Sequence, residues 1–554
     1  MDVSAFNGIL SFHDGRPASD YHNMIPMGQS IIDRLGERAK VTFTDEYVLE
    51  TFVDSLNNMY IATTTRLWLV RYTEVGDSYE LHTTSMMQFA TTPERVTFCE
   101  SSTKPSQVYM CDGTNVWYWN TTNMPDPERI PTGVRSYAAY AFVPWQLPLF
   151  ESPDALTEEG LRVVKQFFYD VNMPNTATAT RYGYYPAVNP LFYDMNKLIH
   201  VSSIAWFDNR LVLVQSSKNT VWLTNIDPSR WTTPSWSGGG NVLYPRSPWQ
   251  YTIGANGDPI LVNDLVSAWY ASTASSANLI DAVTFAGQLY FLNDTSIEVW
   301  SATGNVENPI QHNSQNTIYY GGRSPVIVND TLYLICKGAL HNDFIAAIGM
   351  NGQIQHVSND EIEQRLGAHP FWIRPLTIRD QSMIVVYTDE SCRNGYALTK
   401  QGFWWHYVRP DKKKAIDWTI MNRDGHFLGV SRYGVILEAV ENTRTYADGD
   451  PILRSVRGAF MQFTGRKILR EVEVICDTGV YFDTNDIRYR MYLHVSFDRG
   501  LNFGPYLYRN FGAPGKNDYT MLWRNCGSGN SILLEFGTAD NVRFQIYGIR
   551  FDLT

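Results

Sequence analysis

FDNRLVLVQSSKNTVWLTN, residues 207–225, and FAGQLYFLNDTSIEVWSATG, residues 285–304, read as two copies of one unit. Each opens on Phe, turns through two or three small or polar residues, and enters an apolar strand. Leu211 and Leu289 fall at the same step, and each copy then runs through a polar turn into a strand carrying a tryptophan, Trp222 or Trp300. Short runs of β-branched and aromatic residues broken by Gly, Asn and Asp are the pattern of many short antiparallel strands. Weaker copies begin at Val53, Ser101, Val328, Arg379 and Asn422. Where copies are neighbours they start roughly 43 to 51 residues apart, the spacing of propeller blades. Seven units are recognisable, so the reading is all-β: a β-propeller of six to eight blades, whose radial repetition leaves only short strand edges.

Two gaps exceed one blade. Residues 134–200 read as an insertion carrying a helix at 152–170, where Ser152 caps, Pro153 fits the first turn, and Leu161, Val164 and Phe168 share a face. Residues 231–280 are rich in Trp, Gly and Ser and hold either an irregular blade or a long loop. A second helix is expected at 359–366, with Ile362 and Leu366 one turn apart behind a capping Asn359. From about residue 455 the strands lengthen and alternate apolar with polar residues, as a half-solvated sheet does. The expected organisation is therefore first blades in 1–133, the insertion in 134–200, the remaining blades in 201–454, and a C-terminal β-sandwich-like unit in 455–554.

Composition narrows the function classes. The 554 residues would suggest three or four domains on length alone. Charged residues are 18% and aromatics 14%, and 45 Lys+Arg against 56 Asp+Glu leave a formal charge of −11. A whole surface built to neutralise phosphates is excluded by that sign, and any contact with DNA must be local or weak. The opening MDVSAFNGILSF lacks the basic and apolar regions of a secretory signal, and no stretch approaches ~18 apolar residues, so a cytosolic, non-membrane product is expected. Six cysteines, at 99, 111, 336, 392, 476 and 526, lack metal-ligand spacing and read as buried thiols.

Motifs that could carry chemistry are few. GAPGK, 512–516, lacks the length and the Ser/Thr of a phosphate loop and reads as a turn. SFDRGLNF, 496–503, fits the Asp-box pattern found in sialidases, in which Asp498 and Gly500 shape a tight hairpin; with one copy and no paired acid and nucleophile, it reads as structural. Lys412, Lys413 and Lys414 form the one basic run, a solvated loop tip or a local contact for nucleic acid or an acidic partner. Trp222, Trp300, Trp404 and Trp405 fall at strand positions and read as blade core. No metal, cofactor or catalytic residue is expected.

Several strings in order, TNIDPSRW (224–231), TSIEVWSATG (295–304), YYGGRSPVIVNDTLYLI (319–335), HVSNDEIEQRL (356–366) and KQGFWWHYV (400–408), resemble the packaged-DNA stabilisation proteins of short-tailed bacteriophages, also called tail hub or nozzle proteins. The closing stretch from YLHVSFDRG at 492 to the end is similar to that family's final sheet in strand order and turn placement. The resemblance covers about 205–554. It implies a non-enzymatic virion protein of a short tail, assembled in the host cytoplasm as a ring, usually of six copies. That ring would lie below the portal and adaptor, meet tail fibre, spike or needle proteins, and pass double-stranded DNA without tight binding. The insertion at 134–200 departs from the family pattern and is expected at a partner contact. The other reading is a virion-attached propeller glycosidase or carbohydrate-binding protein.

Overall fold

The computed structural model describes residues 20–554 except 28–29, 77, 90, 103–105, 114–115, 122–139, 143–200, 225–248, 254–258, 264–265, 272–276, 306–308, 338–342, 368–369, 380, 411–413, 424–425, 459–460 and 483–488. The helix expected at 152–170 lies outside the described residues. The chain divides into two compact units, one of Met1–Val48, Val326–Gly349 and Ile354–Thr554, the other of Leu49–Pro325 and Met350–Gln353.

The second unit holds four four-stranded sheets. Blade 1 is Val48–Val53, Met59–Thr63, Arg66–Val75 and Ser78–Gln88; blade 2 is Thr97–Glu100, Gln107–Cys111, Val116–Asn120 and Tyr140–Phe142. Its outer strand thus falls inside the stretch expected as an insertion. Blade 3 is Val201–Phe207, Arg210–Gln215, Thr220–Thr224 and Val266–Ala271, and blade 4 is Leu279–Phe285, Gln288–Asn293, Ile297–Ala302 and Ile310–His312. The long gap after 231 therefore contains the fourth strand of blade 3 and a separate hairpin, Trp249–Ile253 with Pro259–Asn263.

The two sequence copies fold alike to the register. Phe207 pairs with Arg210 and Phe285 with Gln288, Trp206 with Leu211 and Thr284 with Leu289, and both first strands carry a bulge at the matching step, Val201/Ser203 and Leu279/Asp281. Both turns have positive φ at two successive residues, Asp208 with Asn209 and Ala286 with Gly287, the geometry that matches the twist of two-residue hairpins. Leu211, Val212, Val214, Leu289 and Phe291 are fully buried. Middle strands of a blade are covered on both faces, so they read as unbroken apolar runs.

The first unit holds blade 5 (Gly321–Val328, Thr331–Lys337, Asp343–Gly349, Ile354–His356), which the division at 325/326 cuts in its first strand, and blade 6 (Trp372–Ile378, Gln381–Tyr387, Asn394–Leu398, Trp404–Val408). Blade 7 takes Trp418–Arg423, His426–Ser431 and Val435–Val440 from late in the chain and its fourth strand, Gly36–Thr42, from the N-terminal part. Six separate four-stranded sheets are thus present among the described residues, and a seventh four-stranded run, blade 6, is continuous through His22 with the long C-terminal sheet. Helix α1, Asp360–Leu366, joins blades 5 and 6 where expected: the Asn359 side chain accepts from the Ile362 amide, and Ile362 and Leu366 pack among Ile335, Ile345, Ile373 and Ile384.

The C-terminal stretch forms Arg454–Arg457, Met461–Cys476, Arg490–Ser496, Leu507–Asn510, Met521–Thr538 and Ile546–Leu553. These strands are not self-contained. Asp20–His22 pairs with Arg454–Arg457 on one side and touches blade 6 through His22 and His406 on the other, while Ser30–Asp33 pairs with Ile546–Leu553. One core runs from Trp523, Phe536, Met491 and Ile546 to Trp405, Leu376 and Leu437 of the blades. A single carboxylate fastens the junction. Asp33, fully buried, accepts from Arg444 Nε at 2.5 Å, Arg454 Nη1 at 3.1 Å, Arg379 Nη2 at 3.2 Å and the Phe544 amide at 3.0 Å. Burial by itself would raise its pKa, but Arg444, Arg454 and Arg379 together hold it below the ordinary carboxylate value.

Candidate interaction surface

The residues expected to carry contact or chemistry separate cleanly. Lys414 is exposed; Lys412 and Lys413 lie outside the described residues. Trp300, Trp404 and Trp405 are buried as core, and the side chain of Trp222 lies outside what is described. The six cysteines are unbridged, and burial raises every thiol, to about 12 for Cys111, Cys336 and Cys476 and about 11 for Cys526. None is therefore a ready thiolate. Among the described residues no group of three or more His, Cys, Asp or Glu is placed to hold a metal. In GAPGK, Gly512 and Gly515 take positive φ and the Lys516 amide donates to Ala513 O, a tight turn between strands with no helix behind it.

Two fully buried carboxylates have shifted pKa values, Asp33 and Asp417. Asp417 accepts from the Arg432 amide at 2.6 Å, with Arg409 Nε 3.3 Å from the other oxygen but not aligned to donate. Burial raises its pKa to about 7 against the opposing effect of Arg409. With no exposed oxygen, neither carboxylate can meet a substrate.

The outward face of Arg490–Ser496 differs. Alternation sends Met491, Leu493 and Val495 into the core and leaves Arg490, Tyr492 and His494 on the other side. Leu507–Asn510 pairs with it antiparallel and puts Tyr508 across from Tyr492. The rings then form a row. Tyr506 stacks on His494 with centroids 4.1 Å apart and meets Tyr492 edge-on at 5.1 Å; His494 also meets Phe503 at 4.6 Å. Arg490 lies over Tyr508 at 5.2 Å and Arg457 over Phe503 at 5.1 Å. Glu535 fixes the row from below, accepting from Tyr492 at 3.1 Å and from Arg457 Nε and Nη2 at 2.9 and 2.7 Å. At the neighbouring Gly537 a Cβ would come within 2.4 Å of the Tyr492 hydroxyl, so the ring can lie flat there only over glycine.

The Asp box supplies the tip of this face. Ser496 Oγ donates to Asp498 and accepts from the Gly500 amide at 2.9 Å, while Asp498 accepts from Asn502 through both its backbone and its side chain, at 2.8 and 2.7 Å. Those hydrogen bonds, led by the Asn502 amide, hold the Asp498 carboxyl below its usual value. Arg499 and Gly500 both take positive φ, and Ser531 Oγ accepts from the Arg499 amide while donating to Phe497 O. A turn tied down this way leaves Leu501 82% exposed, and Tyr506 and Tyr508, further along the chain, are each about half exposed. Sequence reasoning identified the turn as structural but missed that it presents an apolar residue; the signal was Leu501 at the apex, flanked by Phe503, Tyr506 and Tyr508.

Repeated four-stranded antiparallel runs in each of the two units place the chain in the β-propeller class. No protein-family model matches it and no curated protein does. Solved structures similar to it include a streptogramin B lyase, 10% identical with a TM-score of 0.37 over 73% of this chain and 96% of that one. Another is virginiamycin B lyase from Staphylococcus aureus, 10% identical, TM-score 0.37, over 72% and 97%. The WD40 β-propeller domain of Doa1 is 12% identical, TM-score 0.35, over 73% and 96%. Likeness at this level attaches none of those proteins' roles to this chain.

Proposed function

We propose that the chain is a non-enzymatic structural protein of a short phage tail, a ring-forming hub or nozzle that continues the DNA channel below the portal and adaptor, retains packaged DNA and lets it pass at infection. The observation that carries this reading is the kind of surface the fold offers: an outward row of aromatic and arginine side chains. Tyr, Phe and Arg are residue types enriched at protein-binding surfaces. The ordered strings between 224 and 554 support the same reading, as does the −11 charge, since a conduit that neutralised phosphates would grip its cargo. Tail fibre, spike or needle proteins would meet the ring's lower rim, and residues 134–200 a further partner.

Portal–adaptor complex mixed with the purified chain and separated by size with light scattering tests it: co-elution in a defined multiple is expected, and a chain that never joins portal-containing particles is not this protein. A second reading, carbohydrate binding on a virion, draws on the exposed Tyr506 and Tyr508 rings. A glycan array without hits would retire it.

A further inference from the structure

We propose that residues 1–19 of the chain itself lie across the outward face of the C-terminal sheet and cover Leu501, Tyr506 and Tyr508. The contact is intramolecular and holds whether or not the chain belongs to a phage tail.

Strand register sets the direction. Asp20–His22, where the described chain begins, belongs to the same sheet as the rings, in the order Asp20–His22, Arg454–Arg457, Met521–Thr538, Arg490–Ser496, Leu507–Asn510. Straight across these strands, Asp20 stands opposite Arg457, Arg457 opposite Glu535, and Glu535 opposite His494, on which Tyr506 stacks. A second line runs through His22, Ser455, Gly537, Tyr492 and Tyr508. Moving from the second line to the first is moving backwards along the chain, from His22 to Asp20. The next step in that direction meets Leu533 and Ser496, where the Asp box starts. The box folds over this spot: a Cβ on Gly500 would come within 2.9 Å of Leu533 Cδ2, and Phe503 meets His494. The chain before Asp20 is therefore aimed at the Asp-box end of the ring row.

Reach and chemistry agree with the direction. Four strand spacings separate Asp20–His22 from Leu507–Asn510, about 19 Å at ~4.8 Å each. Residues 12–19, extended at ~3.3 Å per residue, span about 26 Å, enough to bring Phe12 to Tyr506. Pro17 biases Arg16 towards extended backbone, the form this reach requires. The segment MDVSAFNGILSFHDGRPAS carries Val3, Phe6, Ile9, Leu10 and Phe12, and in an extended chain Leu10 and Phe12, two apart, point to one side. Its apolar residues and the exposed Leu501, Tyr506 and Tyr508 gain by covering one another. The receiving turn is already fixed, with its amides at 499, 500 and 502 bonded to side chains, so seating the segment costs little ordering there. A partner protein that uses the ring row has to displace this segment first.

Cysteine cross-linking in the full chain tests the contact. Phe12→Cys and Tyr506→Cys, placed together and treated at low protein concentration with a short bismaleimide, should join within one chain, read as a linked peptide from material of monomer mass. The native thiols, all raised by burial, compete poorly for the reagent. Phe12→Cys with Ile327→Cys, an exposed position on blade 5, should not join. Chymotrypsin gives a second readout: cleavage after Phe12 should be about tenfold faster in Leu501→Asp and in Tyr506→Ala than in wild type. Both side chains are exposed, so circular dichroism should not change. Failure of the first pair to join, or equal cleavage rates, overturns the proposal. So does a link that forms only when separate Phe12→Cys and Tyr506→Cys chains are mixed, which makes the occupant a second copy. Co-elution with portal complex judges the tail reading separately.

Discussion

Asp417 shows how a single buried group couples this fold to pH. Its carboxyl titrates near 7 in the folded chain and at 3.8 in an unfolded one, because burial removes water and Arg409 is not aligned to compensate fully. Between those values the folded state keeps a proton that the unfolded state has lost. The contribution is present in full below about pH 4 and falls as pH rises through 7, by at most about 1.4 kcal/mol per unit for one group. Asp417→Asn keeps the uncharged form at every pH, so its melting temperature should vary less than wild type's between pH 4.5 and 7.5. The readout is the slope rather than the offset, since the amide also gives up the ion pair with Arg409. Nothing in the string AIDWTI marks Asp417 as special; its environment comes from Arg409 and Arg432, which the fold brings to it from just past the ends of the strands Trp404–Val408 and His426–Ser431.

At the scale of elements, the local signals were legible where the stabilising partners lie close in sequence. Helix α1 was readable because cap and buried face fall within eight residues. Asn359→Ala should lower stability by about 1 kcal/mol, and Asn359→Asp should retain it, measured as shifts in thermal midpoint. The hairpin turns at 208–209 and 286–287 were readable for the same reason. Misread was the stretch after 134, where Tyr140–Phe142 completes blade 2: three residues carry too little periodicity to register as a strand, and only pairing with Val116–Asn120 makes them one. The Asp box is readable as a turn from its own residues, whereas the ring row of Tyr492, His494, Tyr506 and Tyr508 appears only once Arg490–Ser496 and Leu507–Asn510 pair.

For the whole molecule, the C-terminal sheet depends on residues more than 400 positions away. Asp20–His22 and Ser30–Asp33 supply strands, and Asp33 neutralises Arg444 and Arg454, which would otherwise be buried cations. A fragment of residues 451–554 should therefore lack a cooperative thermal transition and show solvent-exposed tryptophan emission from Trp523, whereas in the full chain Trp523 is completely buried. A fragment that melts cooperatively on its own would mean the N-terminal strands are accessory.

What the amino-acid order determined by itself was the repeat: short apolar runs, paired turn residues and the switch to alternating strands near 455 are set by neighbours a few positions apart, and local sterics and burial fix them. What only the tertiary structure decided was partnership. The strand that joins blade 7 and the carboxylate that fastens the last sheet both come from remote parts of the chain, and contact across such distances is decided by packing, which no local pattern encodes.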